Sequence, residues 1–141
     1  MSMKKEIIIY ALIIIIGLSL TQHLNVVVSE SMEPTLYKGD IVLVEKTNFI
    51  GINEFDSNNA QVGDIVVYNA TWFQGGLVIH RIINETYING TKYFIIKGDN
   101  NNVPDPYYVS PSQISQRVVT IANHPFIIPK IGYITIWLKG L

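Results

Sequence analysis

Three side chains of this 141-residue chain have the types that nucleophilic catalysis needs: a hydroxyl, an imidazole and a carboxylate. Ser31 lies in residues 29–35 (SESMEPT), and its hydroxyl can act as a nucleophile. His80 can accept the hydroxyl proton, because a neutral imidazole exchanges protons near neutral pH. Asp105 can orient that imidazole and stabilise its charged form. The three residues together predict one catalytic site.

His80 stands in residues 78–83 (VIHRII), an apolar run that predicts a strand. Side chains alternate along a strand, so Val78, His80 and Ile82 share one face. A histidine in such a run is most simply a hydrogen-bonded core residue. The small number of histidines favours a catalytic role for His80, because the other two lie at the end of the N-terminal apolar segment and near the C-terminus.

Four aspartates beside turns are candidates for the carboxylate. Asp40 and Asp64 each follow a glycine and precede a predicted strand, so turn capping explains both. Asp99, in residues 97–101 (KGDNN), has the same explanation available. Asp105 differs because a proline on each side stiffens its backbone, which suits a carboxylate that holds an imidazole. A plain loop residue remains the alternative for Asp105.

The neighbours of Ser31 add two further candidates. The Ser29 hydroxyl can donate to an oxyanion together with a backbone N–H near Ser31, or it is a plain polar residue at the start of a strand. Met32 is predicted to face either the core or a membrane. Pro34 restricts Glu33 to an extended conformation and so defines the turn after Met32.

The composition excludes several classes of protein. A chain of 141 residues has room for one domain and an anchor, and a net charge of −1 provides no basic surface for nucleic acid. The absence of cysteine excludes disulfides and thiolate metal sites. The three histidines show no spacing typical of a metal site, so neither a metal nor another cofactor is expected.

An apolar run at residues 7–20 follows two N-terminal lysines. It is shorter than the about 20 residues that cross a bilayer comfortably, although residues 26–28 can extend it. A cleavable signal peptide is one alternative, but the small residues make a poor cleavage site. A buried core helix is another, but an isoleucine-rich run without polar spacing lacks an amphipathic face. We predict a retained membrane anchor over residues 1–25, with its start in the cytoplasm, and an extracytoplasmic domain over residues 26–141.

Beyond the anchor, short β-branched runs between turn residues predict strands at 41–44, 65–68, 77–83, 92–97 and 114–122. Asn89-Gly90 predicts a hairpin, and no long amphipathic helix follows the anchor. The fold class is therefore mostly β, an antiparallel curled sheet or partial barrel. For the apolar tail at 129–138, an interfacial segment or a core strand is favoured over the start of a second membrane helix, since ten residues do not span.

Four motifs in order give the chain a resemblance to the type I signal peptidases of the archaeal and endoplasmic-reticulum kind. Residues 29–35 match the family's Ser-x-Ser-Met-x-Pro-Thr box, and residues 38–42 match the strand box that follows. His80-Arg81 resembles the His-Arg of archaeal and eukaryotic members, where bacterial members carry Lys-Arg. Residues 97–101 with Asp105 match the Gly-Asp-Asn-Asn box and its second aspartate. Each motif alone is weak, but four in order are specific.

The resemblance implies a fold, an activity and a set of roles. The fold is the signal-peptidase β fold shared with LexA-like self-cleaving proteins, behind an N-terminal transmembrane helix. The activity is that of a membrane-bound serine endopeptidase that cuts secretory preproteins after small residues. The implied roles are nucleophile for Ser31, general base for His80, orienting carboxylate for Asp105, supporting carboxylate for Asp99 and oxyanion-hole hydroxyl for Ser29.

The chain also departs from the family pattern. Asp105 lies in Pro-Asp-Pro-Tyr-Tyr, where relatives often carry Asp-Arg, and Gln116 replaces a usual glycine, so no role is transferred to Arg117. Two rival functions remain. A Ser-Lys self-cleaving protease of the LexA-like kind needs a lysine at the position of His80. A membrane-tethered β module that only binds peptides needs the catalytic set to be coincidental.

The expected location is a cell membrane, crossed once. An archaeal plasma membrane is favoured over the endoplasmic reticulum because the chain is minimal. Three Asn-x-Thr sequences, beginning at Asn69, Asn84 and Asn89, fit a domain that faces outward. The expected partners are secretory preproteins and membrane lipid, and the sequence leaves any accessory subunits open.

Overall fold

A computed structural model describes residues 2–130 and 133–140 of the chain. Helix α1 comes first and a short helix, α2, comes last. Between them lie short strands, and the elements in chain order are α1 (Met3–Gln22), β1 (Leu24–Val26), β2 (Ile41–Lys46), β3 (Ile65–Asn69), β4 (Leu77–Ile88), β5 (Thr91–Lys97), β6 (Ile114–Val118), β7 (Thr120–Ile121), β8 (His124–Pro125), β9 (Ile127–Ile128) and α2 (Tyr133–Lys139).

The strands form an antiparallel sheet with the order β1-β2-β6-β3-β4-β5, and β9 pairs with the first two residues of β2 on the edge opposite β1. β7 and β8 make a separate two-stranded sheet. The sheet does not close on itself. The prediction of a mostly antiparallel β fold is confirmed.

The hairpin of β4 and β5 is the longest pairing of the sheet. Asn89 and Gly90 both have positive φ, 51° and 80°, as a tight two-residue turn between twisted strands requires. β4 continues to Ile88, five residues beyond the predicted end, because Asn84 to Ile88 pair with β5 after a bulge. The predicted strand at 114–122 is confirmed over most of its length, but it consists of two strands, β6 and β7, with a break at Val119. The chain leaves β3 there, and Ala122 and Asn123 take positive φ to turn β7 into β8.

Two clusters of buried side chains hold the sheet. One cluster lies under β3, β4 and β5, with Phe94, Ile96 and Tyr68 as its largest fully buried members. The other cluster packs the segment after β1 against β2 and β6, and it includes Met32 and Leu36, both at 0% exposure. Of the two environments predicted for Met32, the core is therefore correct.

α1 carries apolar side chains around its whole circumference, and none of its residues is buried. Its end is defined by His23, whose Nδ1 lies 2.6 Å from the Ser19 carbonyl and whose Nε2 lies 2.8 Å from the Glu54 carboxylate. Judged on length and apolar character together, no helix in the described part of the chain qualifies as a membrane span.

Two expectations about the chain ends are corrected. Residues 26–28 do not extend the helix, because Leu24–Val26 pairs with β2 and Val27 is buried in the core. The tail at 129–138 is not a core strand where it is described, since Trp137 and Leu138 lie in a helix and are 65% and 56% exposed. Residues 131 and 132 of that tail lie outside the described residues. The interfacial alternative stays a prediction.

Candidate active site

Ser31 is held by the buried residues that follow it. It lies in a turn in which the Leu36 N–H donates to the Met32 carbonyl at 2.9 Å, and the side chains of both residues are fully buried. The Ser31 carbonyl accepts the Asn100 N–H at 2.8 Å. The loop after β5 is thereby attached to the nucleophile segment, while the Ser31 side chain stays partly exposed.

His80 reaches Ser31 from the centre of β4. Its partner across the sheet is Val66 of β3, and its Nε2 lies 3.0 Å from Ser31 Oγ. The His80 side chain is 6% exposed and lies on the same buried face as Val78 and Ile82, as strand alternation predicted. The buried imidazole of His80 therefore faces the hydroxyl of Ser31, which is the more exposed residue of the two.

Asp105 lies on the other side of the imidazole. Its two carboxylate oxygens are 2.9 and 2.8 Å from His80 Nδ1, and its own N–H donates to the Ile96 carbonyl at 2.8 Å. The Asp105 side chain is only 3% exposed. An ionised carboxylate only accepts hydrogen bonds, so the imidazole proton belongs on Nδ1. Nε2 is then an acceptor that faces the Ser31 hydroxyl.

A buried tyrosine completes the surroundings of Asp105. The Tyr68 hydroxyl lies 2.5 Å from Asp105 Oδ2, and Trp72 Nε1 donates to the Tyr68 oxygen at 3.3 Å. Burial, together with the hydrogen bond and charge of Asp105, raises the pKa of Tyr68 above its usual range. The phenol therefore stays protonated and donates to the carboxylate.

Ser29 lies beside Ser31. Its hydroxyl oxygen is 3.0 Å from Ser31 Oγ, and its side chain is exposed to solvent. The structure thus brings together four of the five predicted site residues: Ser29, Ser31, His80 and Asp105.

Asp99, the fifth, lies on the opposite side of β4. Its carboxylate accepts hydrogen bonds from Thr35 Oγ1 at 2.6 Å and from Arg81 Nε and Nη2 at 2.9 and 2.8 Å. Burial by itself raises the pKa of the Asp99 carboxyl, but the hydrogen bonds from Arg81 and Thr35 outweigh burial and lower the pKa below its usual value. Arg81 also donates to the Gly63 carbonyl at 2.8 Å. Asp99 therefore connects three segments of the chain: its own loop, the segment that contains Thr35, and β4.

Gly98 leaves room where the loop passes the site. A Cβ placed on Gly98 would lie 2.7 Å from the Ser31 carbonyl oxygen and 3.0 Å from His80 Nε2. Both distances are shorter than ordinary contacts of a methyl group, so a side chain would displace Ser31 or His80. The glycine of the fourth motif thus has a steric reason in this site.

A cavity of about 240 Å³ opens beside Ser31 and His80. Its wall is largely apolar and aromatic, and it is formed mainly by Val28, Trp72, Phe73, Leu77 and Ile79. Ser29 and Asn101 lie at the same cavity. A peptide side chain in this cavity would lie next to Ser31.

The comparisons with known proteins agree with this geometry. The family model for signal peptidase, peptidase S26, matches residues 1–105, which contain all four motifs. The chain belongs to this family. The prediction of a signal peptidase, and of a peptidase as the class of enzyme, is confirmed.

Relatives of this family member come from archaea and yeasts. It is 36% identical to an uncharacterized protein of Methanocaldococcus jannaschii, over 83% of this chain and 84% of that protein. It is 33% identical to the signal peptidase complex catalytic subunit SEC11 of Scheffersomyces stipitis and 35% identical to that of Saccharomyces cerevisiae, over 79% and 81% of this chain. These matches cover 62% and 64% of the yeast subunits, so the chain spans less than two thirds of their length.

The geometry does not favour a Ser-Lys site. An imidazole, not an amine, faces Ser31 Oγ. Lys97 is the lysine next to the Gly-Asp-Asn-Asn loop, and its Nζ donates to the carbonyls of Gly98 and Asn101 at 2.9 and 2.7 Å. That lysine stabilises the loop rather than approaching the nucleophile.

Sequence reasoning missed Tyr68, Trp72 and Thr35. Tyr68 ends an apolar run that predicts only a buried strand, and Trp72 follows it in a polar turn. Tyr68 can be identified from its position on the face of β3 that adjoins His80. That position is known only when the pairing of β3 with β4 is known. Thr35 can be identified only from its contact with Asp99, which is 64 positions away in the sequence.

Proposed function

We propose that this protein is a membrane-bound serine endopeptidase that removes signal peptides from secretory preproteins and cuts after small residues. Ser31 is the nucleophile, His80 the general base and Asp105 the carboxylate that orients it. The observation that carries the proposal is the hydrogen-bonded series from Ser31 Oγ through His80 to Asp105 in a member of the signal peptidase family.

The reaction follows from the order of these hydrogen bonds. Ser31 Oγ attacks the scissile carbonyl carbon while His80 Nε2 takes the hydroxyl proton, and Asp105 stabilises the imidazolium. The oxyanion that forms accepts hydrogen bonds from the Ser29 hydroxyl and a backbone N–H of the Ser31 region. His80 then protonates the leaving amine of the mature protein. Water, deprotonated by His80, hydrolyses the acyl-enzyme ester and releases the signal peptide.

The cavity beside Ser31 is the place where a substrate side chain would bind. Pockets for drug-sized ligands hold about 300–1,000 Å³, and this one holds about 240 Å³. Trp72 and Phe73 occupy part of the space beside Ser31 with rigid rings. A cavity of this volume also holds an aromatic ring, so the proposed preference for small residues rests on membership of the signal peptidase family.

The proposed location is a membrane, with α1 inside the lipid. The helix exposes its isoleucines and leucines on all sides, and within the described part of the chain none of its residues is buried. Its 20 residues measure about 30 Å, and Lys4 and Lys5 favour a cytoplasmic start. The proposal retains residues 1–25 as the anchor and 26–141 as an extracytoplasmic domain with the signal-peptidase β fold, in an archaeal plasma membrane. If it is correct, alkaline carbonate releases a variant lacking residues 2–22 from membranes but leaves the full chain behind.

A cleavage assay on the full-length protein in detergent tests the function. Wild type is expected to convert a preprotein with a small residue before the cleavage site into the mature chain, as read by N-terminal sequencing. Ser31→Ala is expected to lower the rate by about 10⁴ or more with an unchanged Tm, since only a hydroxyl is removed. Ser112→Ala, at an exposed serine, is the matched control.

The outcomes separate the alternatives. Near-normal cleavage by Ser31→Ala would falsify the nucleophile assignment. A folded wild type that binds the preprotein without cutting it would support the peptide-binding module instead.

A further inference from the structure

We infer that Tyr68 is a positioning residue for the proposed reaction: its hydroxyl holds the Asp105 carboxylate in the orientation that fixes His80. The inference rests on the proposed function, because it adds a residue to the same site. Tyr68 belongs to none of the four motifs, and it touches neither Ser31 nor the cavity.

The hydrogen bonds around Tyr68 direct its hydroxyl proton to the Asp105 carboxylate. The indole N–H of Trp72 can only donate, and it donates to the Tyr68 oxygen at 3.3 Å. The Tyr68 hydroxyl must then donate elsewhere, and Asp105 Oδ2 lies 2.5 Å away. That same oxygen lies 2.8 Å from His80 Nδ1. Tyr68 and His80 therefore hold one carboxylate from two directions.

The sheet fixes the distance between Tyr68 and His80. Val66 pairs with His80 across β3 and β4, and Tyr68 is two residues after Val66, so the phenol and the imidazole lie on the same face as diagonal neighbours. Asp105, in contrast, belongs to the loop between β5 and β6, and its backbone is attached at Ile96. A hydrogen bond from the sheet thus gives the carboxylate a second fixed contact, in addition to His80, while its backbone lies in a loop.

A purely structural role for Tyr68 predicts a different behaviour. The ring is at 0% exposure in the cluster under β3, β4 and β5, so packing alone accounts for its presence there. Packing does not require the hydroxyl, because phenylalanine fills the same space. If the hydroxyl only satisfied a buried carboxylate, its loss would lower stability and leave turnover per folded enzyme unchanged.

The experiment compares Tyr68→Phe with Tyr93→Phe in the full-length protein. Tyr68→Phe is expected to lower kcat about tenfold, the value of one hydrogen bond to a charged group, while KM changes less than about twofold. Tyr93→Phe is the matched control, because among the described residues its hydroxyl makes no side-chain hydrogen bond, and its kcat is expected to equal that of wild type. Tm values and folded fractions are measured for both.

A spectroscopic readout does not depend on activity. With ¹⁵N-labelled histidine, the neutral His80 ring is expected to carry its proton on Nδ1 in wild type and to become a mixture of tautomers in Tyr68→Phe. His80→Gln assigns the signal among the three histidines of the chain. Trp72→Phe, which keeps an aromatic wall but removes the donor to Tyr68, is expected to lower kcat about threefold and serves as the test if Tyr68→Phe fails to fold.

The results distinguish this inference from the proposed function. If wild type and Ser31→Ala cut at the same rate, the proposed function fails whatever Tyr68 does. If Ser31→Ala is inactive while Tyr68→Phe keeps the wild-type kcat and the wild-type His80 tautomer, only the inference about Tyr68 is overturned. A loss of kcat that matches the loss of folded protein overturns it as well, and so does an unchanged kcat in Trp72→Phe when that variant is the one tested.

Discussion

One loop of this molecule places a carboxylate on each side of one strand, and the two carboxylates have different partners. Asp99 and Asp105 both follow β5, and His80 and Arg81 are adjacent in β4 with side chains on opposite faces. Asp105 meets His80 and is 3% exposed, whereas Asp99 meets Arg81 and is 17% exposed. The same chemical group is therefore used twice within seven residues of sequence.

The difference shows that the partner determines what a carboxylate can do. Asp99 faces a guanidinium that keeps its charge at every working pH, together with the Thr35 hydroxyl, so the contacts on that side are static. Asp105 faces an imidazole and a phenol, and the imidazole can gain and lose a proton during turnover. One side of β4 is suited to hold segments together and the other to transfer a proton.

The largest expected effect is on turnover at Asp105. Asp105→Asn keeps the shape of the side chain but offers His80 the wrong tautomer, a defect that reaches about 10⁴ in rate in other Ser-His-Asp sites. Asp99→Asn is expected to lower the rate less than about tenfold, because it does not touch His80. Initial cleavage rates and Tm values for both variants test the comparison. An inactive, stable Asp99→Asn beside an active Asp105→Asn would reverse the two roles.

A smaller effect is expected where the loop crosses between the two sides. Gly98→Ala adds a methyl group 2.7 Å from the Ser31 carbonyl oxygen and 3.0 Å from His80 Nε2. The forced displacement is expected to lower kcat about tenfold to a hundredfold. Gly17→Ala, whose Cβ meets open space in α1, is the control and should leave kcat unchanged. An equal kcat for the two variants would show that the loop moves aside without cost.

The smallest expected effect is on stability at Asp99. Asp99→Asn is expected to lower the free energy of unfolding at neutral pH by about 2 kcal/mol, or Tm by about 5 °C, since Arg81 loses a charged partner. The folded pKa of Asp99 is lowered, so the advantage of wild type is complete above the ordinary aspartate value of about 3.9 and disappears as the pH falls through the folded pKa. Denaturant unfolding between neutral and acid pH measures it, with Asp56→Asn, at an exposed carboxylate, as the control. If wild type and Asp99→Asn still differ in free energy of unfolding in strong acid, the difference does not come from the charge of Asp99.

Local patterns in the sequence predict much of this arrangement. Strand alternation around His80 gives its buried face, and Asn89-Gly90 gives the turn of the longest hairpin. Asp40 and Asp64 accept the N–H of the residue three positions earlier, at 2.8 and 2.9 Å, as the turn-capping explanation predicts. These features depend on residues a few positions apart, so the sequence contains them directly.

Other features depend on contacts that no local pattern encodes. Asp99 has the same Gly-Asp sequence as the two turn-capping aspartates, yet it binds Thr35 and Arg81 because the fold brings them there. Tyr68 becomes a partner of Asp105 only through the pairing of β3 with β4. After α1, residues 26–28 continue the apolar pattern, but His23 ends the helix before them and β1 pairs with β2.

The junction after α1 has a consequence for which substrates the proposed enzyme accepts. Helix and sheet are separated by a single residue, His23, which is bonded to both Ser19 and Glu54. Because the junction is so short, the orientation of the helix relative to the sheet can change little. The distance from the end of the helix to Ser31 is therefore nearly constant. If α1 lies in the membrane as proposed, a preprotein would be selected by the number of residues between its apolar segment and its scissile bond. Substrates with that spacing lengthened in single-residue steps should lose cleavage abruptly, and a glycine-serine insertion after His23 should broaden the accepted range.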